Sequence, residues 1–341
     1  DRVHYLRLLR KINHTNPETQ MKRRTFNALS LAMIAAPSLS VAQTFPSKPV
    51  KFIVPYAAGG LPDSVARIVA NKLTEKLGQS VVIDNKPGGN GMVAYQALIS
   101  GINDNHSFIV SDGSMFSITP LINKSANYSI GKELLPVSMI AKSPLFLVAN
   151  PKTGIKTLKE FVDKVRANPG MYTYGSSGIG SSHHLTMESL KADLKLDIRH
   201  VPFRGSGQSV PALIGGQIDF LFSALPSMLG FLKAGQVTLL GSNDHKRSSQ
   251  VPDVPSISEI VPGFDFAVTI GAIARAGTPL DVIKKLSDDI AWTVKQHEVI
   301  EKLNAASIDA SGLGPDFYKK EIERENLAMA KAGKAADLKA E

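Results

Sequence analysis

The chain contains no cysteine, a single tryptophan, and only 6% aromatic residues in all. Without cysteine there is no disulfide framework, no thiolate zinc site and no cysteine nucleophile. So few aromatics leave little material for the stacking platforms on which single-stranded nucleic acids are held. The apolar stretch from Leu29 to Val41 is 13 residues long, and no later run reaches the ~20 residues of a membrane-spanning helix. Catalytic and nucleotide signatures are missing as well. "GSSGIGSS" is not G-x-G-x-x-G, no turn carries the Gly-Lys-Ser/Thr of a P-loop, and G-x-S-x-G does not occur.

What is present is an ordinary globular composition, 341 residues with 43% apolar content, enough for one or two cored domains. The net charge of +9 would suggest nucleic acid, but it is unevenly placed. Residues 1–42 carry 7 Lys/Arg against 2 Asp/Glu, leaving 32 against 28 for the other 299 residues. The basic residues of that body are scattered, so no nucleic-acid partner is expected.

The N-terminal excess has its own reading. "MKRRTFNALSLAMIAAPSLSVAQ" combines a basic start, the Leu29–Val41 apolar stretch and the small-residue site Ser40-Val41-Ala42. This is the pattern of a secretory signal over 21–42, with cleavage expected before Gln43. Arg23-Arg24-Thr25-Phe26 partly resembles a twin-arginine signal. Residues 1–20 read as an upstream extension, and the mature chain is expected outside the cytoplasm.

From Lys51 onward, short β-rich runs alternate with helical patterns. "KFIVPY" leads into a helix near Pro62–Leu77, "SVVIDN" into Met92–Ile99, and "SFIVSDGS" into Met115–Ile122. "MYTYGSSGIGSS" leads into His183–Leu194, "IRHVPFRGSG" into Gln208–Ile214, and "IDFLFSA" into Pro226–Lys233. Such repetition predicts α/β architecture with parallel or mostly parallel sheets. Two β-rich runs break the rhythm, Leu134–Pro151 and Phe264–Gly277. They are read as two crossings between lobes, with 46–143 plus 262–341 in one lobe and 144–261 in the other.

Glycine collects where strands give way to helices: Ala57-Ala58-Gly59-Gly60, Pro87–Gly91, Ser111–Ser114, Gly175–Ser182 and Arg204–Gly207. At the carboxyl ends of strands in an open α/β sheet, helix N-termini offer unpaired N–H groups and a positive dipole end. An anion is stabilised there without a charged side chain. Any one joint is explained by turn geometry, and a phosphate, a nucleophile or a carboxylate remains open from the turns alone. His183 and His184 are adjacent, about 100° apart on a helix, and do not form a chelating pair. Asp63 and Arg67 form an i,i+4 pair of the ordinary stabilising kind.

"PSKPVKFIVPYAAGGLPDSVARIVANKLTEKLGQSVVIDNKPGGNGMVAYQAL", with "YGSSGIGSSHHLTMESL", "VPFRGSGQSVPALIGGQIDFLF" and "SQVPDVPSISEIVPGF", resembles the Bug receptors. These are periplasmic solute-binding proteins of tripartite tricarboxylate transporters. The resemblance covers nearly all of the mature chain; "YSIGKELLPVSMIA" departs from the Asp-rich, aromatic form of that position. It implies a two-lobed type II periplasmic-binding-protein fold that closes on a small carboxylate, with a ligand cleft between two mostly parallel sheets. It implies a non-enzymatic, monomeric receptor without cofactor or metal, serving membrane transporter subunits or a sensor kinase. An exported α/β hydrolase is the rival class, resting on Ser and His near the glycine turns.

The ligand contacts so implied begin with Tyr56, Ala57, Ala58, Gly59 and Gly60 of the first joint, with Asp63 on the helix behind. Ser111 and Gly113 follow from the third joint. Ser176, Ser177, Gly178, Gly180, Ser181 and His183 would face them from the other lobe. Phe203, Arg204, Gly205 and Ser223 complete the set. Gly60→Val is expected to abolish binding, and Arg204 to pair with a second carboxylate.

Overall fold

The computed structural model describes residues 45–335, apart from 103, 104, 118, 120–122, 124, 125 and 127. The expected signal 21–42, its cleavage point and the extension 1–20 lie outside the described residues. The first strands are β1 (Val50–Val54), β2 (Val81–Asn85), β3 (Ser107–Asp112), β4 (Leu134–Ser143), β5 (Phe146–Ala149) and β6 (Thr173–Ser176). They are followed by β7 (Arg199–Pro202), β8 (Phe220–Ser223), β9 (Thr238–Ser242), β10 (Val268–Arg275) and β11 (Asp309–Leu313). The helices are α1 (Leu61–Leu77), α2 (Met92–Ser100), α3 (Ser114–Ser117), α4 (Leu158–Ala167) and α5 (Ser182–Leu194). After these come α6 (Ser206–Ile214), α7 (Leu229–Lys233), α8 (Leu280–Thr293), α9 (His297–Asn304) and α10 (Pro315–Ala335).

The strands form two sheets, in the orders β11-β4-β10-β3-β1-β2 and β7-β6-β8-β5-β9. Both are mixed, which corrects the expectation of mostly parallel sheets. The trios β2-β1-β3 and β7-β6-β8 are parallel, while β10, β4, β11, β5 and β9 pair antiparallel. A parallel neighbour needs a helical crossover. Of the antiparallel strands, β4, β5, β9 and β10 flank the passages between sheets, where β4 runs into β5 across two residues.

Strand periodicity buries both faces of the first sheet. Phe52, Val54, Phe108 and Val110 join the core that includes Leu61, Val65, Val69 and Leu73 of α1. The alternating Ile53 and Ile109 face Tyr95, Leu98 and Tyr318 on the other side. α1 is set by that spacing of three and four, by Pro62 in its first turn, and by Gly78 at φ +66, whose N–H closes onto Thr74 O. α10 spans a long path, with Tyr318 and Ile322 in the second of these cores and Met329 and Ala332 packed on Leu185 of α5.

Asn243 joins the two passages between the sheets. Its N–H donates to Leu145 O at 2.9 Å, and its carbonyl accepts from Phe266 N–H at 2.8 Å. Its side chain accepts from Leu145 N–H at 2.7 Å and donates to Phe266 O at 2.7 Å.

Candidate functional site

The glycine turns lie at the carboxyl ends of the two parallel trios, following β1, β2, β3, β6 and β7. In the first, Gly59 adopts φ +84, a region that disfavours any residue with a Cβ. Gly60 caps α1 with φ −75 and ψ 170, extended backbone open to any residue. A Cβ on Gly60 would stand 3.5 Å from Ala57 O, an ordinary contact. The conformational requirement for glycine therefore belongs to Gly59 and not to Gly60.

Asp63 is also reassigned. Its buried carboxylate accepts from Gly59 N–H at 2.8 Å, from Asn85 Nδ2 at 3.0 Å and from Arg67 Nε at 3.0 Å. These donors come from its own turn and from the neighbouring strand, so the carboxylate faces them rather than a ligand. Burial alone would raise its pKa; the hydrogen bonds from Arg67, Gly59 and Asn85 outweigh it and hold the group below its usual value.

Beneath the turn, the Tyr56 hydroxyl donates to Asp112 Oδ1 at 3.0 Å and lies 3.2 Å from Ser114 Oγ. Asp112 accepts also from Ser114 N–H at 3.2 Å and Oγ at 2.7 Å. Burial first, then the Asp112 charge, pushes the Tyr56 phenol far up. Burial likewise raises Asp112 against the hydrogen bonds it receives. This group braces the ends of β1 and β3, with Tyr56 facing the protein. Ser111 is fully buried in β3, and a Cβ on Gly113 would overlap the Glu325 carboxyl. Glu325 accepts from Thr269 N–H at 3.1 Å, and burial raises its pKa to about 8.

The second turn bends at Gly178 (φ +126) and Gly180 (φ +74). Ser181 caps α5, accepting from His184 N–H at 3.3 Å and donating to Gly178 O at 2.7 Å. Ser176 Oγ accepts from Gly178 N–H at 3.1 Å and meets His200 Nε2 at 2.7 Å. His184 Nδ1 accepts from Gly180 N–H at 3.1 Å. The His184 and His200 rings stack at 4.1 Å, and His200 stacks on Tyr174 at 4.8 Å. Burial lowers His184 to about 4 and His200 to about 3, so both are neutral props of the turn near pH 7.

The two sides meet through small residues. A Cβ on Gly205 would lie 3.3 Å from Ala57 N, and one on Gly207 only 2.6 Å from Ala58 O. Ser227, in the single turn Leu225–Ser227 after β8, donates to Gly59 O at 2.9 Å. Ser206 Oγ lies 3.5 Å from Ser177 Oγ and 3.3 Å from His183 Nε2. The N-termini of α1, α5 and α6 are thus brought to one place, where first-turn N–H groups lack intrahelical partners. Ser223 Oγ, at the end of β8, and His183 Nδ1 are buried with no hydrogen-bond partner among the described residues. Burial lowers His183 to about 4.

Of the other expected residues, Phe203 packs beside Gly175, and exposed Arg204 donates its N–H to Gln208 Oε1 at 3.1 Å. Ser206, Gly207 and Ser227 were not among the expected contacts. The first two sit in a glycine turn already noted; Ser227 carried no signal, because its approach to Gly59 depends on the tertiary fold. Away from these turns, Asp244, His245 and Asp265 bring ligand atoms within 4.8 Å of one another, with His245 Nδ1 already 2.7 Å from Asp244 Oδ1. Among the described residues, no helix is long and apolar enough to cross a membrane.

Residues 65–326 match the family described as the tripartite tricarboxylate transporter family receptor, TctC. The chain belongs to the TctC receptor family. BugT of Bordetella pertussis is 30% identical over 302 residues, 87% of this chain and 92% of its own. A Rhodopseudomonas palustris protein with adipate has 27% identity and a TM-score of 0.83, covering 87% of this chain and all of that one. MatC from the same organism, with bound malate, has 28% identity and a TM-score of 0.79 over 84% of this chain and 99% of its own. The TctC chain described here shares their two-lobed architecture of sheets flanked by helices.

Proposed function

We propose that this TctC receptor works outside the cytoplasm, capturing a small carboxylate between its lobes and presenting it to membrane transporter subunits. The lobes in this reading are 46–143 plus 262–341 and 144–261, a division supported by the strand membership of the two sheets. Export is supported by the signal-like segment 21–42.

The observation that carries the reading is the meeting of three helix N-termini at turns built from glycine and serine. No Lys or Arg occurs between Val54 and Ser64, so attraction at the first turn comes from N–H groups and a helix dipole worth ~0.3–2 kcal/mol. Closure brings the dipoles of α5 and α6 to the same anion, and binding energy is drawn into closing the lobes. The carboxylates bound by the two R. palustris relatives fit this chemistry.

Among the described residues, two Ser–His contacts, Ser206–His183 and Ser176–His200, give the hydrolase alternative its footing. In the Ser206–His183 pair the far ring nitrogen, Nδ1, has no acid to orient it. Isothermal titration with adipate, malate and hexanoate, followed by recovery of each compound, tests the proposal. Tight uptake of at least one, unchanged, is expected; no uptake of any, or turnover, overturns it.

A further inference from the structure

We infer that Asp63 is a positioning residue for anion capture, holding the Tyr56–Gly59 turn in its open-handed shape while Arg67 cancels its charge. This rests on the receptor reading above. Both ends of the turn are tied to the same small network. At one end Asn85 Nδ2 donates to Tyr56 O at 3.1 Å; at the other Gly59 N–H donates to Asp63 Oδ2 at 2.8 Å. The two side chains are joined by Asn85 Nδ2 to Asp63 Oδ1 at 3.0 Å, and Arg67 Nη2 donates to Asn85 Oδ1 at 3.1 Å. The parallel register Val54↔Asn85 delivers Asn85 to this place.

Electrostatics explains why the network has three members. A bare carboxylate in the first turn of α1 would repel an anion at that same N-terminus. Arg67 Nη2 lies 2.9 Å from Asp63 Oδ1 and neutralises it from the solvent side. Asp63 thus supplies acceptor geometry without net charge. By engaging Gly59 N–H it also limits what remains. Pro62 has no N–H, so Gly60, Leu61 and Asp63 are the first-turn residues of α1 whose N–H groups lack an intrahelical partner. That short row fits one carboxylate.

The inference separates variants that a direct ligand contact would group together. Asp63→Ala removes every acceptor and is expected to weaken adipate or malate binding at least about tenfold. Asp63→Asn keeps an oxygen for Gly59 N–H but turns its NH2 toward the Asn85 and Arg67 donors, and is expected to recover part of that loss. Arg67→Met leaves Asp63 uncompensated, weakening binding in a manner relieved by salt. Amide hydrogen exchange at Gly59 in the ligand-free full chain gives a readout independent of any ligand. Gly59 should be protected in the parent and in Asp63→Asn, and exchange faster in Asp63→Ala. Should Asp63→Ala fail to fold, Asn85→Ala tests the other arm by the same exchange and titration. Unchanged Gly59 exchange in Asp63→Ala, or equal loss of affinity in Asp63→Asn and Asp63→Ala, overturns the inference. If the parent takes up neither adipate nor malate, the receptor reading falls, and the exchange result still decides the role of Asp63.

Discussion

At Gly59 the backbone conformation excludes a side chain, and at Gly207 the neighbouring chain does. Gly59 stands at φ +84 with open space around its missing Cβ, whereas a Cβ on Gly207 would lie 2.6 Å from Ala58 O. Gly59→Val should therefore distort the turn itself, costing ~1–3 kcal/mol of strain and at least about tenfold in adipate affinity. Gly207→Ala should leave each lobe intact but prevent the close approach of α6 to the first turn. Small-angle scattering with saturating adipate would then show a chain more open than the parent; an unchanged profile would remove Gly207 from the closure contact. Arg204 is exposed, and its side chain makes no ion pair among the described residues. Removing it should weaken malate and adipate about two- to fivefold, as an exposed ion pair warrants, and leave hexanoate unaffected. Equal losses for all three anions would show that Arg204 does not meet a second carboxylate.

Among elements, Asn243 ties the two passages between the sheets by four hydrogen bonds, to Leu145 and Phe266. Asn243→Ala would leave the buried Leu145 N–H and the half-buried Phe266 C=O without their partner, a loss of about 2–5 kcal/mol. Urea unfolding measures it, and a loss below ~1 kcal/mol would mean that water or a shifted backbone replaces the amide. The elements themselves were largely legible where apolar periodicity is strong, as in β1, β3, α1 and β10. β11 was not, because DASGL has no apolar alternation and is strand only through its pairing with β4. The sheets read as mostly parallel because strand–helix alternation says nothing of β4, β5 and β10, which run antiparallel to the strands they pair with. At the site, glycine turns were legible as turns. The Asp63–Arg67 pair was visible too, but its link to Asn85 needs the β1–β2 register. The contact of Ser227 with Gly59 O needs the two lobes to be folded and apposed.

Across the whole molecule, buried titratable groups on opposite sides of the site set an optimum of stability. His183 and His184 are lowered to about 4 and His200 to about 3, all chiefly by burial, with Lys191 adding to the last two and Glu188 opposing at His200. A folded pKa below the unfolded value of 6.5 means that the unfolded chain binds more protons as pH falls. These three histidines therefore give stability that is complete above pH 6.5 and is lost as pH falls through 4 and 3. Glu325 has the opposite sign. Burial raises it to about 8 from 4.5, with Glu321 and Asp112 adding to the shift and the Thr269 hydrogen bonds opposing it. Its contribution is complete below 4.5 and is lost as pH rises through 8. Between 4.5 and 6.5 the three histidines outweigh Glu325 together with Asp112, which burial also raises, each worth about 1.36 kcal/mol per pH unit over its range, so stability climbs with pH. Between 6.5 and 8 the carboxyl acts without them, and stability declines. The expected maximum lies near pH 6.5 in urea unfolding from pH 4 to 9. Glu325→Gln keeps an acceptor for Thr269 N–H while removing the titration, and should flatten the alkaline decline without moving the acid limb. His200→Gln should make the acid limb shallower and leave the alkaline side alone. A maximum at pH 8 or above in the parent would show that Glu325 is already ionised in the folded chain, and an alkaline decline that survives Glu325→Gln would assign that decline to Asp112.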